Sequence, residues 1–278
     1  MLGRLFGKKE PRKPMRDVAA LVPGLSAPGV HAVKLDAPSR SHFGGPPNLP
    51  PGTPWPTRNG RELGFLARLS LPQIHRAHPV PWLPATGALL FFYDLDEQPW
   101  GFDPKDCGGC AVLLVPDLVD PIGAPATGPR NEQSPMHLRN AGFRKVDTFP
   151  SQDRDAASAL QLSDEESDEY FKTTDAQFQS QPKHLVSGFP SPVQGDYMEL
   201  EAQLVTNGIY CGDEAGYKDP RVPSLEPGVK DWRLLFQFDT DDDLGVMWGD
   251  CGTVYFWVRE DDARAGSFAN VWLILQCS

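Results

Sequence analysis

The run GALLFFYD (87–94) decides the fold, because the run GTVYFWV (252–258) repeats its features later in the chain. Each starts with a glycine and continues with apolar, aromatic and β-branched residues over the length of a strand. A shorter apolar run precedes each and another follows, and both separations are four residues shorter in the second set. The matched flanking runs are FLARL (65–69) with LLFQF (234–238), and CAVLLV (110–115) with VWLILQ (271–276). This order predicts an internal duplication.

The connections between these runs favour antiparallel pairing, because they are short and show no strong helical pattern. The chain contains 29 prolines and 26 glycines, which favour turns and irregular connections over long helices. The sequence therefore predicts an α+β, β-rich fold of two pseudo-repeated antiparallel sheet units, with irregular Pro/Gly-rich connections and a few short helices. The alternative is six generic strands that match by chance.

The domain organisation follows from composition. Residues 1–30 are predicted to be a basic N-terminal segment with a possible short helix, and residues 31–150 the first β-rich half. Residues 151–180 are polar and acidic, which is typical of a solvated linker or an exposed helix. Residues 181–278 form the predicted second β-rich half, and residues 31–278 together form one domain.

Charge and composition limit the classes of partner. The net charge is −11, whereas a nucleic-acid groove normally needs a basic surface, so no nucleic-acid partner is predicted. No stretch approaches the twenty apolar residues of a membrane span, and no apolar run of signal-peptide length follows the N-terminus. Five cysteines in a chain of 278 residues favour reduced thiols, so a cytoplasmic protein is expected. The oligomeric state is left open.

Two short motifs are candidate metal sites. Cys107 and Cys110 form a CxxC turn that could present two thiolates to zinc or act as a redox pair, but no second CxxC exists. Asp239, Asp241 and Asp243 have the alternating spacing of a calcium loop, without a glycine at its sixth position. The alternatives are ordinary reduced thiols and an acidic hairpin loop. No phosphate-binding glycine motif occurs, and no cofactor is predicted.

Polar residues on or beside the apolar runs are candidate ligand-binding residues. Arg68 and Gln237 occupy matched positions in FLARL and LLFQF, so they could face each other across a groove between the halves. Aromatic, amide and acidic residues in glycine-rich loops could complete that groove. These are Trp55, Gln194, Asp196, Trp248 and Asp250. The alternatives are simple strand alternation, with polar groups facing outward, and side chains that lock turns.

The leading functional hypothesis is a non-enzymatic protein that binds a partner protein or a small ligand in a cleft between the halves. The first alternative is a hydrolase that uses loop carboxylates such as Asp196 and Asp250. The second is a metal-binding protein. No residue is assigned a catalytic role.

Blocks spread over residues 44–277, taken together and in order, resemble the YwqG-like family of bacterial proteins of unassigned function. The blocks are GGPPNLPPGTPWP (44–56), LGFLARLSL (63–71), GALLFFYD (87–94), HLVSGFPSPVQGD (184–196), WRLLFQFDTD (232–241), MWGDCGTVYFWV (247–258) and FANVWLILQC (268–277). The resemblance implies an α+β protein with a duplicated β-rich core and no established activity. It also implies an association with toxin–immunity loci, and thus an immunity-type binding role. The chain departs from the family at Arg68, where glutamine usually follows FLA.

Overall fold

A ten-stranded antiparallel sheet organises the protein in the computed structural model, which describes residues 15–117 and 136–278. Residues 1–14 of the predicted basic N-terminal segment, and residues 118–135, lie outside the described residues. The strands are β1 (Ala27–Leu35), β2 (Ser41–Phe43), β3 (Thr57–Arg58), β4 (Arg61–Glu62), β5 (Gly64–Ser70), β6 (Ala88–Tyr93), β7 (Cys110–Val115), β8 (Arg139–Thr148), β9 (Leu185–Val186), β10 (Trp232–Asp239), β11 (Thr253–Arg259) and β12 (Trp272–Gln276). All but β3 and β4, which form a separate small hairpin, belong to the large sheet.

The strand order of the large sheet is symmetric about its centre. It runs β12-β11-β10-β9-β1-β8-β2-β5-β6-β7, and the paired strands are antiparallel throughout. Counting outward from the β1–β8 pair, β9 corresponds to β2, β10 to β5, β11 to β6 and β12 to β7. We call β1, β2, β5, β6 and β7 the first repeat, and β8 to β12 the second. The repeats exchange their first strands, since β1 pairs with β9 and β8 pairs with β2.

The hydrogen-bonded register confirms the alignment made from sequence. Phe65 lies opposite Phe92 in the first repeat, and the aligned residues Leu234 and Trp257 lie opposite each other in the second. In both repeats the register then shifts by one residue, between Phe65 and Ala67 and between Leu234 and Phe236. A β-bulge is a local irregularity, and unrelated strands are not expected to carry one at the same aligned position. The duplicated, β-rich α+β fold is therefore confirmed.

The sheet bends until its two halves face each other. In a flat sheet, β6 and β11 would lie about 34 Å apart, because neighbouring strands are about 4.8 Å apart. Instead, the ring centroids of Phe91 on β6 and Phe256 on β11 are 5.1 Å apart. These two residues are aligned with each other, so the pseudo-twofold axis passes between their rings. The large side chains of both repeats share one buried core around this contact.

The turns that follow β2 and β9 extend the duplication beyond the strands. Gly44 and Gly45 have φ values of +58° and +67°, and the corresponding Ser187 and Gly188 have +63° and +84°. Serine rarely adopts this left-handed conformation, so its presence indicates a backbone shape fixed by the surrounding structure. Each turn leads into one of the Pro/Gly-rich loops.

Short helices fill the connections. They are α1 (Val18–Leu21), α2 (Leu71–Ala77), α3 (Asp155–Ser158), α4 (Asp164–Asp175), α5 (Met198–Val205), α6 (Glu214–Tyr217), α7 (Val222–Leu225) and α8 (Glu260–Arg264). The acidic segment contains α4, whose start is fixed by a capping box between Ser163 and Glu166. Glu166 also binds Arg16, which fastens this helix to the chain before α1. Within the described ranges, no helix has both the length and the apolar character needed to cross a membrane.

Candidate functional site

The two end strands of the bent sheet approach each other along a seam. The segment after β6 lies against the free edge of β12, where the Leu275 N–H donates to the Trp100 carbonyl at 3.0 Å. At the start of β7, the Cys110 thiol donates to the Val271 carbonyl at 3.7 Å. The seam thus joins residues of the first repeat to residues of the second.

Gly101 allows this close approach. Its φ is +84°, and a Cβ atom there would lie 1.9 Å from the Leu273 carbonyl oxygen, so no larger residue fits without moving β12. The Trp272 indole N–H donates to the Gly101 carbonyl at 2.8 Å, which holds a bulky ring at the seam.

A cavity of about 560 Å³ lies in the seam, and we call it the seam pocket. Its volume is within the range of small-molecule sites, about 300–1,000 Å³. Both repeats supply its walls. The lining residues are Tyr93, Pro99, Pro104, Asp106, Cys107, Gly108, Gly109 and Cys110 from the first repeat, and Val205, Thr206, Asn207, Gly208, Trp232, Arg259, Ala269, Asn270, Val271, Trp272 and Leu273 from the second.

One polar cluster in the second repeat shapes a wall of the seam pocket. Trp232 and Arg259 are opposite each other in the β10–β11 register, and the guanidinium lies 4.7 Å from the indole ring centroid. Gln203 on α5 accepts from both, at 2.7 Å from Arg259 and 2.9 Å from the Trp232 indole N–H. Its own amide donates to the Leu225 carbonyl at 3.0 Å. Buried polar groups that are bonded in this way are held in one orientation.

The predicted CxxC pair lines the seam pocket as two free thiols. Cys107 is exposed, and burial raises the pKa of the Cys110 thiol to about 12, with the neighbouring Cys107 contributing. A thiol with that pKa stays protonated at neutral pH, whereas metal ligation and nucleophilic attack need the thiolate. Among the described residues, no third His, Cys, Asp or Glu side chain is grouped with the two thiols to complete a metal site.

The three aspartates of the acidic loop are bonded to protein groups. Asp239 accepts from the Lys183 N–H and from Thr253, and Asp241 accepts from Lys34 at 2.8 Å and His184 at 3.1 Å. Burial acts to raise the pKa of Asp241, but the hydrogen bonds from His184 and Lys34 outweigh it and lower the pKa to about 2. Asp243, mostly exposed, shares the Lys34 ammonium at 2.7 Å. Within residues 15–117 and 136–278, no three His, Cys, Asp or Glu side chains are grouped to hold a metal ion.

Trp55 and Arg68 take structural positions in the first repeat. The Trp55 ring packs edge-on against Phe92, and its indole N–H donates to the Leu63 carbonyl at 2.8 Å. Arg68 is buried, and its guanidinium pairs with Asp117 at 3.0 Å. The alternation of β5 places Arg68 on the face opposite the shared core.

Gln194, Asp196 and Gln237 come together around the loop after β9. Gln237 accepts from the Ser191 N–H at 2.8 Å, and the Gln194 amide donates to the Cys277 carbonyl at 2.8 Å. Asp196 ends the loop with a fully buried side chain, bound through both oxygens to Arg154. These residues fix the loop against β10 and β12. Gln237 and Arg68 each bond to their own repeat's loops, so the structure does not join them in one groove.

Trp248 and Asp250 lie near each other in sequence but in different surroundings. Trp248 is fully buried in the shared core, between Tyr93 and Phe238. Asp250 is exposed, and its backbone carbonyl accepts from the Ser278 N–H at 3.1 Å. Neither Asp250 nor Asp196 lines the seam pocket, so the two carboxylates of the hydrolase hypothesis do not share this cavity.

Sequence reasoning missed Gln203, Trp232 and Arg259, although a signal for two of them was present. The runs WRLLFQF (232–238) and TVYFWV (253–258) are predicted to be neighbouring antiparallel strands, and Arg259 directly follows the second run. In the β10–β11 pair, Trp232 at the start of one strand lies opposite Arg259 at the end of the other. The available indication was a charged residue, Arg259, directly after an apolar run, with Trp232 at the start of the neighbouring run.

Helix α5, which carries part of the pocket wall, also buries a carboxyl group with a raised pKa. Glu201 accepts from the Tyr217 hydroxyl at 2.9 Å, and its second oxygen has no partner among the described residues. Burial is the main cause that raises the pKa of Glu201 from 4.5 to about 7. Folding therefore favours the protonated form of this carboxyl group.

Replacing Glu201 with Gln is expected to stabilise the protein at pH 8 but not at pH 5. The stability contributed by the protonated carboxyl is fully present below pH 4.5 and is lost as pH rises through about 7. Glutamine stays neutral, so the free energy of unfolding at pH 8 should exceed that of the unmodified protein by up to about 3 kcal/mol. Urea unfolding at both pH values measures this. Glu214→Gln is the matched control: its carboxylate is exposed and pairs with Lys218, so its loss should cost less than about 1 kcal/mol at either pH. If Glu201→Gln and the unmodified protein lose the same stability between pH 5 and pH 8, the prediction is contradicted.

One family model matches most of the chain. It is described as "Domain of unknown function (DUF1963)" and covers residues 41–277, from the first residue of β2 to the residue after β12. The match includes every residue that lines the seam pocket. No curated protein matches the chain.

Proposed function

The chain belongs to the DUF1963 family, and on that premise we propose that it is a non-enzymatic protein that binds a small ligand in the seam pocket. The observation that carries the proposal is one cavity of about 560 Å³ whose walls come from both repeats. Binding sites combine apolar walls with placed polar groups, and the seam pocket exposes both kinds of surface. Trp232 and Trp272 supply the apolar surface, while Asn207, Asn270 and Arg259 supply hydrogen-bonding groups.

The polar groups of the seam pocket support binding more than catalysis. Its charged lining residues are Asp106 and Arg259. One oxygen of Asp106 accepts from the Gly101 and Asp103 N–H groups, at 2.9 and 3.4 Å. A carboxylate used in this way fixes its own loop. A general base would instead need to reach a substrate proton directly or through one water.

Filling the seam pocket tests this proposal. Ala269 lines the pocket from an exposed turn, and Ala265, exposed at the end of α8, does not line it. In a fragment screen by ¹⁵N NMR, we expect hits to shift the amides of Gly108, Gly208 and Asn270. Ala269→Trp should weaken those hits by at least about tenfold, and Ala265→Trp should leave them unchanged. Hits that map elsewhere, or that survive Ala269→Trp, would overturn the proposal.

The assignment within the DUF1963 family and the cellular location are also proposals. We propose that the chain is a YwqG-like protein of bacterial origin that acts in the cytoplasm. The ordered sequence blocks support the assignment, and five cysteines without a disulfide among them support a reducing compartment.

A second candidate function is that of an immunity-type protein that binds a partner protein. The net charge of −11 supports it, because an acidic surface attracts a basic partner electrostatically. Co-expression with the product of an adjacent toxin gene is the test. A stoichiometric complex that dissociates at high salt would support this candidate, whereas two separate species in size-exclusion chromatography at low salt would contradict it.

A further inference from the structure

Arg259 is the cationic side chain among the described residues of the seam pocket, and it has no carboxylate partner among residues 15–117 and 136–278. The adjacent Glu260 does not serve as one, because it pairs with Arg233 at 2.6 Å and with Arg264. Of the five N–H donors that a guanidinium carries, one is bonded within the described part of the chain, to Gln203. The pocket therefore contains a positive charge whose main hydrogen-bonding capacity is open.

The guanidinium of Arg259 is also held in place before any ligand arrives. Gln203 fixes one edge, and the Trp232 ring lies against the planar group at 4.7 Å. Gln203 is in turn bonded to Trp232 and to the Leu225 carbonyl, so the support does not depend on a ligand. Preorganisation of this kind raises affinity, because less side-chain entropy is lost on binding.

The acidic group in the pocket does not neutralise Arg259. Asp106 is engaged by the first repeat's own loop: one oxygen accepts from the backbone of Gly101 and Asp103, and the other lies 3.9 Å from Arg58. The bonds of Asp106 among the described residues are thus made to its own repeat and not to Arg259. The Arg259 guanidinium is therefore not paired with a carboxylate in the part of the chain that the structure describes.

The rest of the lining indicates what the anion is attached to. Trp272, Val271 and Leu273 form an apolar wall at β12, and the Asn207 and Asn270 amides lie among the remaining lining residues. A planar guanidinium matches the two oxygens of a carboxylate or phosphate. Resting on the proposed function, we infer that the seam pocket binds a small organic anion, a carboxylate or a phosphate ester on a flat apolar body, with Arg259 as the residue that binds the anionic group.

Matched probes test this inference. Indole-3-acetate and its neutral analogue indole-3-acetamide differ in charge but share a flat apolar body. In ¹⁵N NMR titrations we expect the acetate to bind at least about tenfold more tightly than the amide. Arg259→Gln should reduce the acetate affinity to that of the amide and leave the amide affinity unchanged. Arg259→Lys should give an intermediate affinity, because the charge remains but the planar fork is lost.

Arg264→Gln is the control, since Arg264 is a nearby arginine paired with Glu260 and outside the seam pocket.

Phenyl phosphate in a parallel titration distinguishes the two anion classes. Tighter binding than that of indole-3-acetate assigns a phosphate ester, and weaker binding assigns a carboxylate. Equal affinities for acetate and amide, or no effect of Arg259→Gln, would overturn the inference. If the amide binds and Ala269→Trp abolishes that binding, the proposed function survives this failure. If no probe binds at the pocket, both fail.

Discussion

Replacing Phe91 with Ala should lower the free energy of unfolding by about 3–5 kcal/mol, which is a large fraction of a typical domain's stability. Phe91 is fully buried, and its ring contacts Phe236 at 4.9 Å and Phe256 at 5.1 Å between centroids. The truncation leaves a cavity where the two repeats meet, and the surrounding strands cannot close it without leaving their register. Urea unfolding followed by tryptophan fluorescence measures the loss.

Phe171 supplies the matched control for Phe91. It is 63% exposed on α4, so Phe171→Ala should change stability by no more than about 0.5 kcal/mol. The pseudo-twofold symmetry allows a second prediction, for the aligned residue Phe256. Phe256→Ala should cost about as much as Phe91→Ala, and the double variant should deviate from additivity by about 0.5–1.5 kcal/mol, because the two rings contact each other. Additive losses would show that the halves do not meet at this pair.

Replacing Arg154 with Met should destabilise the protein by about 3–5 kcal/mol at neutral pH. Arg154 binds both oxygens of Asp196, whose side chain is fully buried, and also binds Glu199 at 2.8 Å. Without the guanidinium, two carboxylates remain in a site that water cannot reach freely. The loss should shrink as pH falls, because burial raises the pKa of Glu199 and protonation removes its charge. Equilibrium unfolding between pH 4 and 8 measures both effects.

Lys218→Met is the control for Arg154→Met, since Lys218 forms an exposed pair with Glu214 on α6. That pair should contribute less than about 1 kcal/mol. Asp196→Asn added to Arg154→Met should recover part of the loss by removing one unpaired charge. A loss at Arg154 no greater than that at Lys218 would show that water solvates the Asp196 site.

The outer strands of the fold could be predicted from sequence, and the central strands could not. β5, β6, β10 and β11 are almost wholly buried, so each forms a continuous apolar run. β8 alternates between buried, half-buried and exposed residues and contains Arg139, Arg144 and Lys145, so it shows no clear period. β2 and β9 are three and two residues long, which is too short to show a periodic hydrophobic pattern. Their pairing depends on the rest of the sheet.

The location of the candidate site, but not its residues, follows the prediction made from the sequence. Sequence reasoning expected function at the contact between the halves, and the seam pocket lies there. Its lining comes from separated segments that only the bend of the sheet brings together. Arg68 and Gln237 were conspicuous because polar residues stand out inside apolar runs, yet each is used to hold a loop. Arg259, in contrast, lies at the end of β11, where a polar residue is common and does not stand out in a sequence.

The exchange of β1 and β8 has a consequence for biosynthesis. A ribosome releases β1 long before β9 and β8, the two strands on either side of it. During that interval β1 has no neighbour to pair with, and the emerging first repeat lacks the strand that flanks β2. The nascent chain therefore exposes unpaired strand edges until the second repeat has emerged, and such edges favour aggregation. Pairing between residues so distant in sequence also slows folding, so this protein should depend on chaperones that shield nascent strands.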